Sequence, residues 1–279
     1  MSGAPYFIPY GEALEILTQY PIETHTENLH LDEVFNRVLA VDLQSKVDDP
    51  RFDNSAMDGF AFRHIDSLQP PSLLSIVQTV QAGTGENLIH VGPNQASQIM
   101  TGAPIPEGAD AILPIEFCKI NSDGKKVSLL QEGRKHFIRK KGENLRLGQT
   151  ALSKGTLLSP SSVGLCATMG HSHVDVFKKL TIGIISTGDE LRLPGEELGD
   201  TEIFESNSFG LASLVTMNGH NPIRYNSVSD SIDNLRVQLD KAAEECDIIL
   251  TSGGVSMGEW DLVRKIMEEE GDIKFWRVK

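Results

Sequence analysis

The sequence predicts a mixed fold, α/β plus β-rich, with a β-rich N-terminal half followed by an α/β domain built on a mainly parallel sheet. Three observations carry that reading. Residues 180–191 (LTIGIISTGDEL) and 246–261 (CDIILTSGGVSMGEWD) each hold a short apolar run that breaks into small residues and then carboxylates. Apolar runs of strand length without alternation mark strands buried on both faces of a parallel sheet. From residue 180 onward, strand and helix patterns alternate, which implies right-handed βαβ crossovers. Between residues 50 and 150 the chain instead shows short apolar runs separated by Gly and Pro turns, with no long helical period.

Residues 10–20 (YGEALEILTQY) suit a short amphipathic helix, with Ala13, Leu14, Ile16 and Leu17 toward its apolar side. Residues 31–39 (LDEVFNRVL) suit a second, with Leu31, Val34, Phe35 and Val38 at helical spacing. The stretch 48–64 is turn-rich, then apolar. Strands are expected at 73–80, 96–100, 111–117 and 126–131. Ser159-Pro160 opens a helix that runs through 163–169 to Gly170. Residues 206–217 form the next helix, with Gly219 as its stop signal. Residues 222–227 are extended. A helix over 231–245 carries Ile232, Leu235, Leu239 and Ala242 as its apolar stripe, and Asp230 or Ser231 can cap it. Then come a strand at 247–251, a helix at 260–270 that Gly271 can end, and the start of another strand at 273–278. No helix follows that strand before Lys279. The sheet is therefore expected to be unfinished here and the chain to be a piece of a longer protein.

Length and charge narrow the function classes. A chain of 279 residues favours two domains or more. Hydrophobic residues make up 39%, enough for real cores. With 25 basic residues against 39 acidic, the net charge of −14 argues against nucleic acid or an anionic membrane as partner. The three cysteines, Cys118, Cys166 and Cys246, are odd in number and form no CxxC, so neither a disulfide framework nor a zinc–thiolate site is expected. A reducing, cytoplasmic location is the simple expectation. No apolar run approaches ~18 residues, and the N-terminus lacks a basic, apolar, cleavable pattern.

Several motifs point to chemistry, each with an ordinary alternative. Ligands of open α/β sheets sit beyond the carboxyl ends of the strands. That rule places Ser186, Thr187, Gly188, Asp189 and Glu190 beside Ser252, Gly253, Gly254, Ser256, Glu259 and Asp261, where a phosphorylated ligand and a divalent cation can meet. Two glycines between strand and helix let backbone approach a ligand, and helix N-termini attract anions. The segment has neither the Lys of a P-loop nor a full GxGxxG pattern, which disfavours ordinary nucleotide hydrolysis and a dinucleotide site. Glu190 suits Mg²⁺, which prefers oxygen ligands; for Asp261 the alternative is a favourable interaction with a helix dipole. In residues 50–62 (PRFDNSAMDGFAF), Asp53, Asn54, Ser55 and Asp58 crowd a turn. Asp58 can serve a metal or a reacting water, or the cluster can simply hold a tight Asx-turn. Residues 100–114 (MTGAPIPEGADAILP) can cradle an anion at Thr101 and Gly102, or form a rigid loop. Residues 134–146 (RKHFIRKKGENLR) hold six Lys or Arg, which can focus an oxyanion or merely solvate a surface. His171 and His173 alternate on an expected surface strand and lack a third metal ligand.

Taken together, the segments 50–62, IMTGAPIPEGADAILP (99–114), IRKKGEN (138–144), ISTGDEL (185–191), ESN (205–207) and TSGGVSMGEWD (251–261) resemble the molybdopterin molybdenumtransferase family, which includes bacterial MoeA and the E domain of gephyrin. The likeness runs over almost the whole chain in the family's order and spacing. It implies an elongated β-rich module at 51–144, inserted in a linker domain made of 25–50 and 145–178. An incomplete molybdopterin-binding α/β domain would follow at 179–279, with the helix at 10–20 packing on it. It implies a homodimer whose cleft lies between the β-rich module of one subunit and the α/β domain of the other. It also implies a reaction: Mg²⁺-dependent hydrolysis of adenylylated molybdopterin with release of AMP, and insertion of molybdenum from molybdate into the dithiolene. Carried over by motif, Asp58, Thr101, Glu190, Asp230 and Asp261 are the implied catalytic residues. Glu190 and Asp261 would hold Mg²⁺. Ser186, Thr187, Gly188, Asn207, Ser252, Gly253, Gly254 and Ser256 would bind the ligand. The upstream molybdopterin adenylyltransferase is a further expected partner.

The chain departs from the family pattern in two ways. Asn144 stands where the family often has Asp. The PGKP-type loop, the LPGNPVS-type loop and the C-terminal β-domain that follow in the family are not in these 279 residues. Two functions therefore compete: the transferase itself, and a catalytically inactive molybdopterin-binding or scaffolding fragment. A single-domain adenylyltransferase is a third, which the long β-rich module argues against.

Overall fold

The computed structural model describes residues 5–83, 87–225, 231–253 and 262–279. The chain divides into two units, Met1–Asn28 with Asn36–Val38 and Asp175–Lys279, and Leu29–Phe35 with Leu39–Val174. The first begins with strand β1 (Phe7–Ile8) and helix α1 (Tyr10–Thr18). Of the expected apolar side of α1 only Ala13 is buried, while Leu14 and Leu17 are exposed.

The second unit is organised around a six-stranded sheet. Its strands are β2 (Gly59–Phe62), β3 (Ser72–Val80), β4 (Gln95–Ile99), β5 (Ala111–Pro114), β6 (Cys118–Ile120) and β7 (Lys126–Leu129), in the order β5-β2-β4-β3-β7-β6. Pairing is antiparallel except between β3 and β4. All four residues of β2 are buried because both faces of the sheet are covered. Phe60 and Phe62 pack with Leu74, Leu113, Val127 and Leu129, while Ala61 faces a second cluster with Val80, Ile99, Ile112 and Ile138. That is the period-2 geometry of a strand working on two cores at once. The expected strand at 111–117 stops at Pro114 and continues as a 3₁₀ turn, Ile115–Phe117. Helix α2 (Pro160–Thr168) starts as its residues dictate: Ser159 accepts from the Ser162 amide at 3.2 Å, and proline occupies the first turn.

The α/β part of the first unit has three parallel strands, β8 (Thr181–Ser186), β9 (Asn221–Arg224) and β10 (Ile248–Ser252), in the order β9-β8-β10. Helices α3 (Asn207–Met217), α4 (Ile232–Glu245) and α5 (Leu262–Glu270) accompany them. Alternate residues of the central strand serve two cores. Ile182 and Ile184 pack with Leu211, Ala212 and Val215 of α3. Ile185 packs with Leu235, Leu239 and Ala242 of α4 and with Val263 and Ile266 of α5. The continuous apolar run of β8 is thus explained, and the parallel sheet read from it is present.

Two further expectations fail. Residues 31–39 do not form a helix: a single 3₁₀ turn, Leu31–Glu33, is followed by Asn36 at φ 60°, a left-handed position that ends helical winding. The backbone that a helix would need is taken elsewhere, since Val38 accepts from the Phe177 amide and the Leu39 amide donates to Thr156. Phe35 consequently stands 63% exposed. Residues 273–278 do not add a strand to the parallel sheet either. Only Arg277–Val278, strand β11, is extended, and it pairs in parallel with β1. The Arg277 amide donates to Tyr6 at 3.0 Å and the Lys279 amide to Ile8 at 2.9 Å, so the terminal edge of this segment is satisfied by the N-terminus.

Candidate active site at the strand ends

The three parallel strands finish on polar residues: β8 on Ser186, β9 on Arg224 and β10 on Ser252. Ser186 and Ser252 are register partners, and the Thr187 amide donates to the Ser252 carbonyl at 3.1 Å. The chain then turns sharply. Gly253 takes φ 104°, and a Cβ there would lie 2.4 Å from the Thr187 carbonyl oxygen. Glycine is required at that crossing for space as well as for backbone angle. Thr187 is 7% exposed, and among the described residues its Oγ1 has no hydrogen-bond partner. A buried hydroxyl left unpaired beside a glycine crossing suits a site that receives an acceptor from a ligand. Asn207, the first residue of α3, donates through Nδ2 to Ser252 Oγ at 2.9 Å.

Beneath this rim lies a buried carboxylate. Glu205 is 3% exposed and accepts from Ser186 Oγ at 3.1 Å, from the Ser208 amide at 2.6 Å and from Ser208 Oγ at 2.6 Å. The Arg224 guanidinium lies 4.0 Å away. Burial pushes the Glu205 carboxyl up, but the Ser208 and Ser186 hydrogen bonds and the Arg224 charge outweigh it and hold the pKa below the usual glutamate range. Glu205 therefore fixes both the end of β8 and the first turn of α3.

Glu190 is exposed just past the turn, its carboxylate folded back over Gly188; a Cβ on Gly188 would meet Glu190 Oε2 at 2.6 Å. It makes no ion pair among the described residues, and no group of three metal-ligand side chains occurs among them. A free carboxylate at a strand end has the right donor chemistry for a hard cation such as Mg²⁺. The strand-end cluster thus unites Ser186, Thr187, Gly188, Glu190, Asn207, Ser252 and Gly253. Asp230, Gly254, Ser256, Glu259 and Asp261 lie outside the described residues.

In the other unit, the three N-terminal motif segments are tied to one another. Asp58 Oδ1 accepts from the Thr101 amide at 2.7 Å and from Thr101 Oγ1 at 3.0 Å. Those two donors, the amide first, hold the exposed Asp58 carboxyl below the usual carboxylate range. Backbone bonds from Gly102 to Ser55 and from Ile105 to Asp53 join the same loops. Asp53 also binds Lys140 Nζ at 2.7 Å and the Lys141 amide at 2.9 Å, and Lys141 Nζ pairs with Asp48 at 3.3 Å. Much of the basic run is therefore anchored by acids. Asn144 donates to Asp49 at 3.1 Å. His171 is likewise accounted for by a 2.8 Å contact with the Gln44 carbonyl.

Sequence reasoning missed Arg224, Ser208 and Phe209, and gave Glu205 no role. Glu205 and Ser208 carry a faint signal, a carboxylate three residues before a serine at a helix start. Nothing local distinguishes Arg224 from any arginine at a strand end.

These features define a class: an α/β protein with a polar candidate site at the carboxyl ends of parallel strands, joined in one chain to a β-rich unit. Residues 8–170 match the family model for the MoeA N-terminal region (domain I and II), and residues 183–279 match a model described as "Probable molybdopterin binding domain". The molybdopterin molybdenumtransferase of Haemophilus influenzae is 34% identical over 265 residues, covering 95% of this chain and 65% of that protein. The Bacillus subtilis protein of the same name is 34% identical over 279 residues, covering 97% and 65%. A crystal structure of a molybdopterin biosynthesis MoeA protein from Pyrococcus horikoshii superposes with a TM-score of 0.79 at 35% identity, covering 88% of this chain and 66% of that one. The chain belongs to the MoeA family. It spans 65% of the length of the two curated relatives just given.

Proposed function

We propose that this chain acts in molybdenum cofactor biosynthesis, in the Mg²⁺-dependent insertion of molybdate into adenylylated molybdopterin with release of AMP. The observation that carries the reading is the strand-end cluster: a buried Thr187 hydroxyl without a hydrogen-bond partner among the described residues, a glycine crossing at Gly253, and Asn207 and Ser252 held beside an open carboxylate, Glu190. Its makeup suits a phosphorylated ligand, and membership of the MoeA family supports molybdopterin as that ligand. Glu190 and Asp261 are the residues that would hold Mg²⁺, which when bound supplies Lewis-acid stabilisation at phosphate oxygens. Asp58, oriented by Thr101, and Asp230 complete the proposed catalytic set; Gly188, Gly254 and Ser256 join the ligand-binding turns. A linker domain at 25–50 and 145–178, a β-rich module at 51–144 and a homodimer with a shared cleft belong to the same proposal. So do a cytoplasmic location and a hand-over from the upstream adenylyltransferase. Among the described residues no helix is long and apolar enough to cross a membrane.

The test is direct. Purified protein is mixed with adenylylated molybdopterin, molybdate and Mg²⁺, and both AMP release and reconstitution of a molybdenum-free apoenzyme are followed. AMP release with reconstitution supports the transferase, and Asp58→Ala and Glu190→Ala should then each reduce turnover at least about tenfold, the scale of losing one transition-state charge contact. Binding of molybdopterin without AMP release would favour the scaffolding function. Wild-type turnover in both variants would remove these residues from the mechanism.

A further inference from the structure

We propose that Arg224 is the oxyanion-reading residue of the strand-end site, presenting the edge of its guanidinium to a tetrahedral oxyanion in the cleft beside α3. Arg224 closes strand β9, at the sheet end where ligands of parallel sheets are held. The cleft has a volume of about 310 Å³ and is walled by Leu193, Pro194, Phe209 and Tyr225, with Ser186, Glu205, Ser208 and Arg224 as polar groups. Room for one anionic group and its neighbours is therefore present.

The guanidinium is held in three ways. Its Nε donates to Ser208 Oγ at 2.8 Å. Its central carbon lies 3.3 Å from the centre of the Phe209 ring, so one face of the plane is covered. Glu205 stands at 4.0 Å from Nη2, close enough to orient the charge and beyond hydrogen-bond reach. Glu205 offsets part of the arginine's charge, but its oxygens already accept from Ser186 and twice from Ser208, so it takes up neither terminal N–H group of Arg224. Among the described residues the two terminal nitrogens of Arg224 have no hydrogen-bond partner, and the side chain is 31% exposed.

That geometry selects the ligand chemistry. With a face on Phe209, Arg224 offers its in-plane N–H edge, which matches two oxygens of one anion. The Ser186 and Ser208 hydroxyl protons are committed to Glu205, so the arginine is the donor in the described wall that is free to meet the anion. Two sources share this chemistry, the phosphate of the bound ligand and molybdate. The proposal rests on the function above only for that choice of anions.

Calorimetric titration of the 279-residue protein with inorganic phosphate, with AMP and with molybdate tests it, and turnover is not needed. Arg224→Ala should weaken binding of at least one probe roughly ten- to hundredfold, the scale of hydrogen bonds to a charged group. Arg224→Lys should fall between, since a point charge lacks the fork. Loss confined to phosphate and AMP assigns the ligand's phosphate; loss confined to molybdate assigns molybdate. Unchanged affinities, or no binding of any probe by the parent, overturn the proposal. If Arg224→Ala does not fold, Arg224→Lys and Arg224→Gln carry the comparison. Failure of all three to fold would mark the residue as structural and overturn it as well. A transferase assay that fails while Arg224 still governs oxyanion binding would reject the function and leave this inference standing.

Discussion

Three hydrogen bonds and one nearby cation converge on the Glu205 carboxylate, which makes it a titratable part of the fold. Its folded pKa lies below the ordinary glutamate value of about 4.3. A depressed carboxylate contributes stability that is present above the unfolded pKa and lost as pH falls through the folded one. The urea midpoint should therefore drop on acidification from about pH 5 downward, and Glu205→Gln should flatten part of that drop. Asp48, Asp53, Asp58 and Asp110 are shifted the same way, so the comparison of variant with parent is the informative one. Identical slopes would show that Glu205 carries no linked proton. Glu205 was visible in the sequence only as the first letter of ESN. Its burial depends on Arg224 and Ser186, which lie in other elements.

Helix boundaries were legible where capping chemistry is local. Ser159 and Pro160 announce α2, and the Ser159 side chain accepts the Ser162 amide as expected. Ser159→Ala should cost about 1 kcal/mol in urea unfolding, the usual loss of an N-cap; an unchanged midpoint would mean that Ser161 or solvent replaces it. Helix α4 was legible from its stripe, with Leu235, Leu239 and Ala242 buried, but the expected cap is not made by Ser231, whose side chain gives no capping hydrogen bond. Residues 31–39 show the limit. Their apolar spacing fits a helix, yet Asn36 turns left-handed and the backbones of Val38 and Leu39 bond to Phe177 and Thr156. Periodicity reports a face; it does not report which backbone partner competes for it. The same holds at the C-terminal end, where Arg277–Val278 pairs with Phe7–Ile8 rather than with the central sheet.

At the scale of the molecule, α1 exposes Tyr10, Leu14 and Leu17, spaced to lie on one helical face. Exposed apolar groups aligned in this way favour an interface, in keeping with the proposed homodimer. Light scattering at micromolar concentration should give twice the chain mass of 30.6 kDa. A stable 30.6 kDa species would overturn the dimer and with it the proposed shared cleft.

The sequence by itself determined the parallel α/β part, the β-rich part and the segments proposed to carry the chemistry. Those signals are local: the period of apolar residues, a serine before a proline, two glycines after a strand. Only the tertiary structure decided that Asp53 holds Lys140, that Thr101 orients Asp58, and that Arg224 stands over Phe209 beside Glu205. These pairings join residues far apart in the chain. They follow from which faces are buried together, and burial is a property of the packed molecule that no short window of residues contains.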